Sequence, residues 1–384
     1  MKFNMVKASE FCDSVRDGTH DSPKRVNKGY KLITSKHIKE YGLDLENAYY
    51  ISEKDFNKIN ERSLVEKNDI LYSMIGTVGL IHRIDYEPNY AIKNIGLFKL
   101  NDEIKSKWLY YYLKSPKMKS YINSLLSGST QQYITLNNLR NLPIAIPENY
   151  IDMIKIIKIL ELLEKKININ AQTNNNLYEI MKRIFDNWVN NLDNYEESSL
   201  SKIANYINGL AMQKYRAKNE IGLPVIKIKE MNEGITDNTE RCSSNIKEDY
   251  IIEDGDILFA WSGTLCMTIW AQGKSGLNQH IFKVQSTKFP KWFYYLWTEY
   301  YLGKFVEIAV GKATTMGHIK RKELDTAKVK IPIKKEMDKM DRIMQPMLDK
   351  YINNKINNET LKQVRDTLLP KLMNGEIDLD KIEI

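Results

Sequence analysis

The chain has 384 residues, enough for two domains, with 42% hydrophobic and 28% charged residues and a formal net charge of +8. No apolar run is long enough to cross a bilayer and Met1-Lys2-Phe3-Asn4-Met5 carries no signal-peptide stretch, so a cytoplasmic protein with no membrane partner is expected. Cys12, Cys242 and Cys266 stand far apart, which excludes a disulfide framework or a metal-binding spacing and predicts buried thiols.

In chain order, a first globular stretch covers residues 1–147. Tyr30-Lys31-Leu32-Ile33, Asp69-Ile70-Leu71-Tyr72-Ser73 and Leu97-Phe98-Lys99-Leu100 carry the β-branched and aromatic residues of strands. The span from Trp108 to Leu126 predicts a helix, with Leu109, Tyr112, Leu113, Ile122 and Leu125 mostly on one face. A polar loop from Ser127 to Thr135 follows, then Ile146-Pro147 and a long helical segment over 148–198. The same order returns in residues 199–333. Leu223-Pro224-Val225-Ile226 and Ile257-Leu258-Phe259 read as strands, Trp292 to Phe305 as a helix, and Gly311 to Gly317 as a polar loop. Ile331-Pro332 then precedes a second helical segment over 334–384. Asp69-Ile70-Leu71 with Gly76-Thr77 matches Asp256-Ile257-Leu258 with Gly263-Thr264, and the matched features keep an offset of 183 to 187 residues. Each copy reads as α+β. A duplicated globular unit plus helix suits a target with two halves better than a single active site.

The helical segments repeat in phase. Met153, Leu160, Ile167, Asn174, Met181 and Trp188 interleave with Ile156, Leu163, Asn170, Leu177 and Ile184 as an a/d seam. Met337, Met344, Tyr351, Asn358, Arg365 and Leu372 interleave with Met340, Met347, Asn354, Leu361 and Leu368 at a constant offset of 184. Two separate surface helices would satisfy each pattern alone. One antiparallel coiled coil with pseudo-two-fold symmetry also explains the matched polar breaks, because it pairs Asn170 with Asn358 and Asn174 with Asn354. Seam Asn lowers stability and fixes register, so these four residues are expected to set the spacer between the copies. Pro346 is expected to kink the second helix or mark its start, and Pro370 to bend its last turn. A helix of about 37 residues is roughly 55 Å long, and dimeric DNA readers stand about 34 Å apart or a multiple of that.

Charge sits in the globular copies: 22 Lys and Arg against 16 Asp and Glu in residues 1–147, and 19 against 14 in residues 199–333. That balance favours a polyanionic partner. Catalytic signatures are missing. There is no phosphate loop, no His-Glu-x-x-His, no Gly-x-Ser-x-Gly, no nucleotide-cofactor fingerprint and no Asn/Asp-Pro-Pro-Tyr/Phe stretch; Gly273-Lys274-Ser275 lacks the upstream glycine of a phosphate loop. The five histidines are scattered. No catalytic residue and no metal ligand is assigned, and no cofactor is expected in this chain.

Candidate DNA contacts lie in the polar loops. Ser129, Thr130, Gln131, Gln132 and Tyr133 join hydroxyls to amides that can pair with adenine; Lys312, Thr314, Thr315, His318, Lys320 and Arg321 occupy the equivalent loop and suit phosphate or guanine. The loop with Arg16, Thr19, His20, Lys24 and Arg25 has a counterpart carrying Lys214 and Arg216. Ser73, Thr77, Ser262 and Thr264, on the Gly-Thr turns, are expected beside these loops, with Lys93 and Asn94 at the level of Asn278, Gln279 and His280. The loop chemistry differs between copies, so an asymmetric target is expected.

Asp17-Gly18-Thr19-His20, Asn68-Asp69-Ile70-Leu71 with Gly255-Asp256-Ile257-Leu258, the Ile-Pro exits at 146–147 and 331–332, the stretch from Leu192, and Leu369-Pro370-Lys371-Leu372-Met373-Asn374-Gly375-Glu376-Ile377, in duplicated order, resemble the specificity (S) subunits of type I restriction–modification systems. The resemblance spans essentially the whole chain. It implies target-recognition domains at 1–147 and 199–333, each reading half of a bipartite double-stranded DNA site. It implies spacer helices at 148–198 and 334–384, the latter with the C-terminal tail. It further implies a non-catalytic subunit that docks two methyltransferase subunits carrying S-adenosylmethionine and a restriction/translocase subunit. A coiled-coil adaptor with two protein-binding ends is the alternative reading.

Overall fold

The Asp-Ile-Leu repeat opens the same structural device twice in the computed structural model, which describes residues 2–39, 42–128, 131–217, 221–311, 317–377 and 379. Asn68 and Gly255 both take left-handed backbone, with φ of 73° and 86°. The amides of Glu66 and Glu253 donate to the carboxylates of Asp69 and Asp256, at 2.7 and 2.9 Å. The amides of Asn68 and Gly255 donate to the carbonyls of Ile84 and Trp270, both at 2.8 Å. Each Asp thereby ends a tight turn and launches a central strand whose four residues are all buried, Ile70–Ser73 and Ile257–Ala260. Burial pushes both carboxyl pKa values up against the pull of those backbone donors and nearby lysines. The motif is scaffold chemistry.

The first of two compact units comprises residues 1–165 and 362–384. Its four-stranded antiparallel sheet runs Ser14–Asp17, Ile95–Lys99, Ile70–Ser73, Ile81–Arg83. A second sheet sets Tyr30–Thr34 between Tyr50–Ile51 and a parallel neighbour, Tyr90–Lys93. The expected single helix over 108–126 is two helices, Glu103–Lys114 and Pro116–Ser124. Pro116 forces Ser115 into extended backbone, and the Ser115 hydroxyl then caps the second helix by accepting from Met118 N. Trp108 is fully buried, its indole N–H donating to Ala145 O at 2.9 Å. Met153, Ile156 and Leu160 of the first long helix join Leu369, Leu372 and Met373 of the second in that same core.

The second unit, residues 166–361, repeats the sheet order: Asn205–Asn208, Ile281–Gln285, Ile257–Ala260, Cys266–Ile269. Leu223–Ile226 again has a parallel neighbour, Ser275–Leu277. Here one unbroken helix, Lys291–Gly311, follows the sheet. Its Trp292 is also fully buried, but the indole N–H donates to the Asp341 carboxylate at 2.7 Å.

The long helices cover Tyr150–Asn190 and Lys334–Met373. Pro346 and Pro370 lie inside the second, so Pro346 does not mark its start. The expected seam positions Met153, Ile156, Leu160, Ile167, Asn170, Asn174 and Met181 are buried, as are Met344, Asn354 and Leu372. Ile157, Phe185 and Val189 widen the apolar stripe toward the globular cores. Within the second unit the helices pair antiparallel through their asparagines. Asn170 Nδ2 donates to Asn358 Oδ1 at 2.8 Å, and Asn358 Nδ2 to Ile167 O at 3.0 Å. Asn354 Nδ2 donates to Asn174 Oδ1 at 2.9 Å, and Asn174 Nδ2 to Tyr351 O at 2.9 Å. Asn354 therefore plays the part of Asn170, and Asn174 that of Asn358. Each carbonyl recipient lies three residues before the Asn that faces its donor.

Candidate nucleic-acid interface

In the first unit, the register places Asp17 opposite Gly96 and Ile95 opposite Ser73. The chain leaving Asp17, the chain entering Ile95 and the turn after Ser73 therefore meet at one end of the sheet. The polar loop joins them: Gly76 N donates to Gln132 O and Ile134 N to Met74 O, both at 3.0 Å. Thr19 bridges Lys93 in parallel fashion, with Gly18 N on Ile95 O at 2.9 Å. A Cβ on Gly18 would stand 2.4 Å from Ile92 O, so only glycine lets these segments approach.

Thr19, His20, Thr77, Lys93, Asn94, Gln131, Gln132 and Tyr133 gather at this end. Thr77, Gln131, Gln132 and Tyr133 are exposed. The His20 ring nitrogens lie 2.9 Å from Asp17 Oδ2 and 2.8 Å from Asn94 Oδ1. Asn94 takes left-handed backbone at φ 52°. Lys93 Nζ donates to Ser22 Oγ. Ser73 is spent in the turn: its buried hydroxyl donates to Thr77 O and accepts from Leu80 N, both at 2.7 Å. Arg16 donates to Arg62 O at 2.8 Å, Arg25 stacks 5.0 Å over the Tyr49 ring, and Lys24 is exposed. Ser129 and Thr130 lie outside the described residues.

The second unit builds the same end with other side chains. Asn208 is opposite Phe282 and Ala260 opposite Ile281. Gly209 N donates to Ile281 O at 3.1 Å, and a Cβ there would stand 2.2 Å from Asn278 O. Gly263 N donates to Gly317 O at 2.9 Å and Ile319 N to Trp261 O at 3.1 Å. Ser262, Thr264, Asn278, Gln279, His280 and His318 gather here, Thr264 and His318 being exposed and Ser262 and Asn278 buried. Asn278 Oδ1 accepts from His280 N at 3.2 Å, and the Gln279 amide nitrogen lies 3.1 Å from His280 Nε2. Trp261 donates to Asn208 Oδ1 at 2.9 Å and stacks on Phe282. Lys320 starts the short helix that follows, and Arg321 reaches Tyr206 O at 3.3 Å. Lys214 and Arg216 are exposed, Arg216 bridging the strand residue Cys242. Lys312, Thr314 and Thr315 lie outside the described residues.

Hydroxyls, amides, imidazoles and cations clustered on adjoining turns suit phosphate oxygens and base edges. Among the described residues, no group of three or more His, Cys, Asp or Glu is placed to hold a metal, and no helix is long and apolar enough to cross a membrane. Cys12 and Cys242 are buried, and burial pushes the Cys12 thiol up to about 12.

The profile described as Type I restriction modification DNA specificity domain matches this chain twice, at residues 2–179 and 193–365. The chain belongs to this family. Type I specificity subunits recognise DNA and are not themselves catalytic. The chain is similar to the MjaIX specificity subunit of Methanocaldococcus jannaschii, at 24% identity over 93% of this chain and 84% of that one. It is 25% identical to the EcoBI specificity subunit of Escherichia coli over 42% of this chain and 35% of the relative. The type I S subunit from M. genitalium shares its fold, with a TM-score of 0.55 at 17% identity, covering 97% of this chain and 96% of the other.

Sequence reasoning missed two residues in this type I specificity chain. Asp17 and Arg62 form an ion pair at the sheet end. Asp17 stands three residues before His20 in the motif and is readable as the anchor of that ring. Arg62 comes from a helix 45 positions away, and no local pattern links the two.

Proposed function

We propose that residues 1–147 and 199–333 are two target-recognition domains reading the halves of one asymmetric, bipartite double-stranded DNA site. The observation that carries this reading is the shared construction of the two sheet ends, with the same backbone bonds around Gly18 and Gly209 but different side chains on top. Equivalent placement gives each domain a similar approach to DNA; unlike side chains give each its own sequence. The candidate contacts are those gathered at the two ends, with Arg16, Lys24, Arg25, Lys214, Arg216, Lys320 and Arg321 as flanking cations. Segments 148–198 and 334–384 act as spacer helices, and Asn170, Asn174, Asn354 and Asn358 fix their register.

The domain family supports a place in a type I complex in the cytoplasm. Two methyltransferase subunits bring S-adenosylmethionine and modify adenines, and a restriction/translocase subunit cleaves. This chain contributes the address. Binding of the assembled complex to a bipartite duplex, followed over salt concentration, tests the reading: log K is expected to fall linearly with log salt, in proportion to the phosphates neutralised. Salt-independent behaviour or no preference among duplexes would overturn it.

A further inference from the structure

We infer that Arg62 is a base-reading residue of the first domain and that Asp17 is the residue that positions it, an inference resting on the reading above that this sheet end faces DNA. Asp17 closes the strand Ser14–Asp17, and its side chain is 6% exposed. Its carboxylate takes two donors, Arg62 Nη2 on one oxygen and His20 Nε2 on the other. A buried carboxylate needs such donors. Here they come from surface side chains, His20 at 67% and Arg62 at 59% exposure. The buried charge therefore sets the direction of two groups that point outward.

The ion pair is not required to build the turn. The second unit makes the same turn at Asn208-Gly209 with the same backbone bond, Gly209 N to Ile281 O, and with neutral Trp261 as the donor to Asn208 Oδ1. The cation of the pair is more than half exposed, so water competes for the guanidinium and the contact is not one the core depends on. What the arrangement does provide is a guanidinium fixed in place. Arg62 sits in the last turn of the helix Glu53–Ser63, and its own carbonyl accepts from Arg16 Nη1. No other side chain or carbonyl among the described residues takes a hydrogen bond from it. Its free N–H groups form the rigid fork that pairs bidentately with guanine O6 and N7, and anchoring lowers the ordering cost of that contact.

The test uses the full chain assembled with its methyltransferase subunits. Wild type, Arg62→Gln, Arg62→Lys and Asp17→Asn are compared for affinity to the cognate duplex and to duplexes changed one base pair at a time, with thermal unfolding as control. Arg62→Gln is expected to lose roughly 5- to 150-fold discrimination at one base pair of one half-site, leaving the other half unchanged. Arg62→Lys keeps the charge without the fork and is expected to lose discrimination at that same position. Asp17→Asn is expected to lose less, again at that position. Unchanged discrimination in Arg62→Gln, or an equal loss on every duplex with a salt slope reduced by about one, would overturn the inference, because the latter marks a phosphate contact. Wild type that binds no duplex selectively would instead overturn the functional reading itself.

Discussion

The two globular copies differ least in their turns and most in what those turns carry. Asn68-Asp69 and Gly255-Asp256 build one turn, and Gly18 and Gly209 allow one close approach. Above those glycines, the first copy joins Asp17 to Arg62 and His20, with Asn94 beside the His20 ring, whereas the second sets the Trp261 indole on Asn208 and the His280 backbone amide on Asn278. The supporting helices differ as well. Ser115-Pro116 breaks the first into two pieces, while Lys291–Gly311 runs on. A duplicated scaffold leaves the side chains above it free to diverge, because the bonds shared by the two turns at Gly18 and Gly209 are backbone bonds.

The comparison breaks most visibly at the buried tryptophans. Trp108→Ala and Trp292→Ala are each expected to destabilise their own unit by about 3–5 kcal/mol, read as a split or lowered thermal transition. The phenylalanine variants sharpen the contrast. Trp292→Phe leaves the Asp341 carboxylate without its donor, and Trp108→Phe leaves only a backbone carbonyl. The first is therefore expected to cost more, since hydrogen bonds to charged groups are worth about 1.5–3 kcal/mol against about 0.5–1.5 for neutral ones. Equal losses would show that Asp341 is resolvated.

Next in size are Gly18→Ala and Gly209→Ala. Each Cβ would press on a backbone carbonyl, for a cost of about 1–3 kcal/mol or more, and each variant is expected to lose recognition of one half-site while keeping the other. Half-site binding assays read this directly, and loss of both halves from one variant would contradict separate readers. Gln131→Ala and Gln132→Ala are expected to relax a single half-site by about 1–3 kcal/mol per lost base contact. Loss spread equally over both halves counts against the assignment.

Replacing Asn170, Asn174, Asn354 and Asn358 together with Leu is expected to leave the fold as stable or more so, while loosening register. Sedimentation and a panel of duplexes with altered spacers measure it. Unchanged oligomeric state together with unchanged spacer preference would remove the asparagines from the account.

Much of this was legible in the sequence where one residue type has one job. A heptad seam interrupted by Asn at matched phase has few explanations, and Asn170 faces Asn358 and Asn174 faces Asn354. The Asp-Ile-Leu strands and the Gly-Thr turns beside the polar loops were legible for the same reason. The break at Ser115-Pro116 is masked in the sequence because the apolar periodicity continues across it, although proline restricts the residue before it. Ser73 looked like a contact because hydroxyls suit phosphate, yet its hydroxyl is spent inside the turn. Arg62 was invisible because its partner is set by tertiary packing of a helix on a sheet end.

The most direct test of two unlike readers on one scaffold is a map of methylated adenines in DNA from cells carrying the methyltransferase subunits, with and without this chain. The account predicts modification only with the chain present, at a site of two different half-sequences across a spacer of fixed length. Modification at a continuous or palindromic site, or modification independent of the chain, would contradict it.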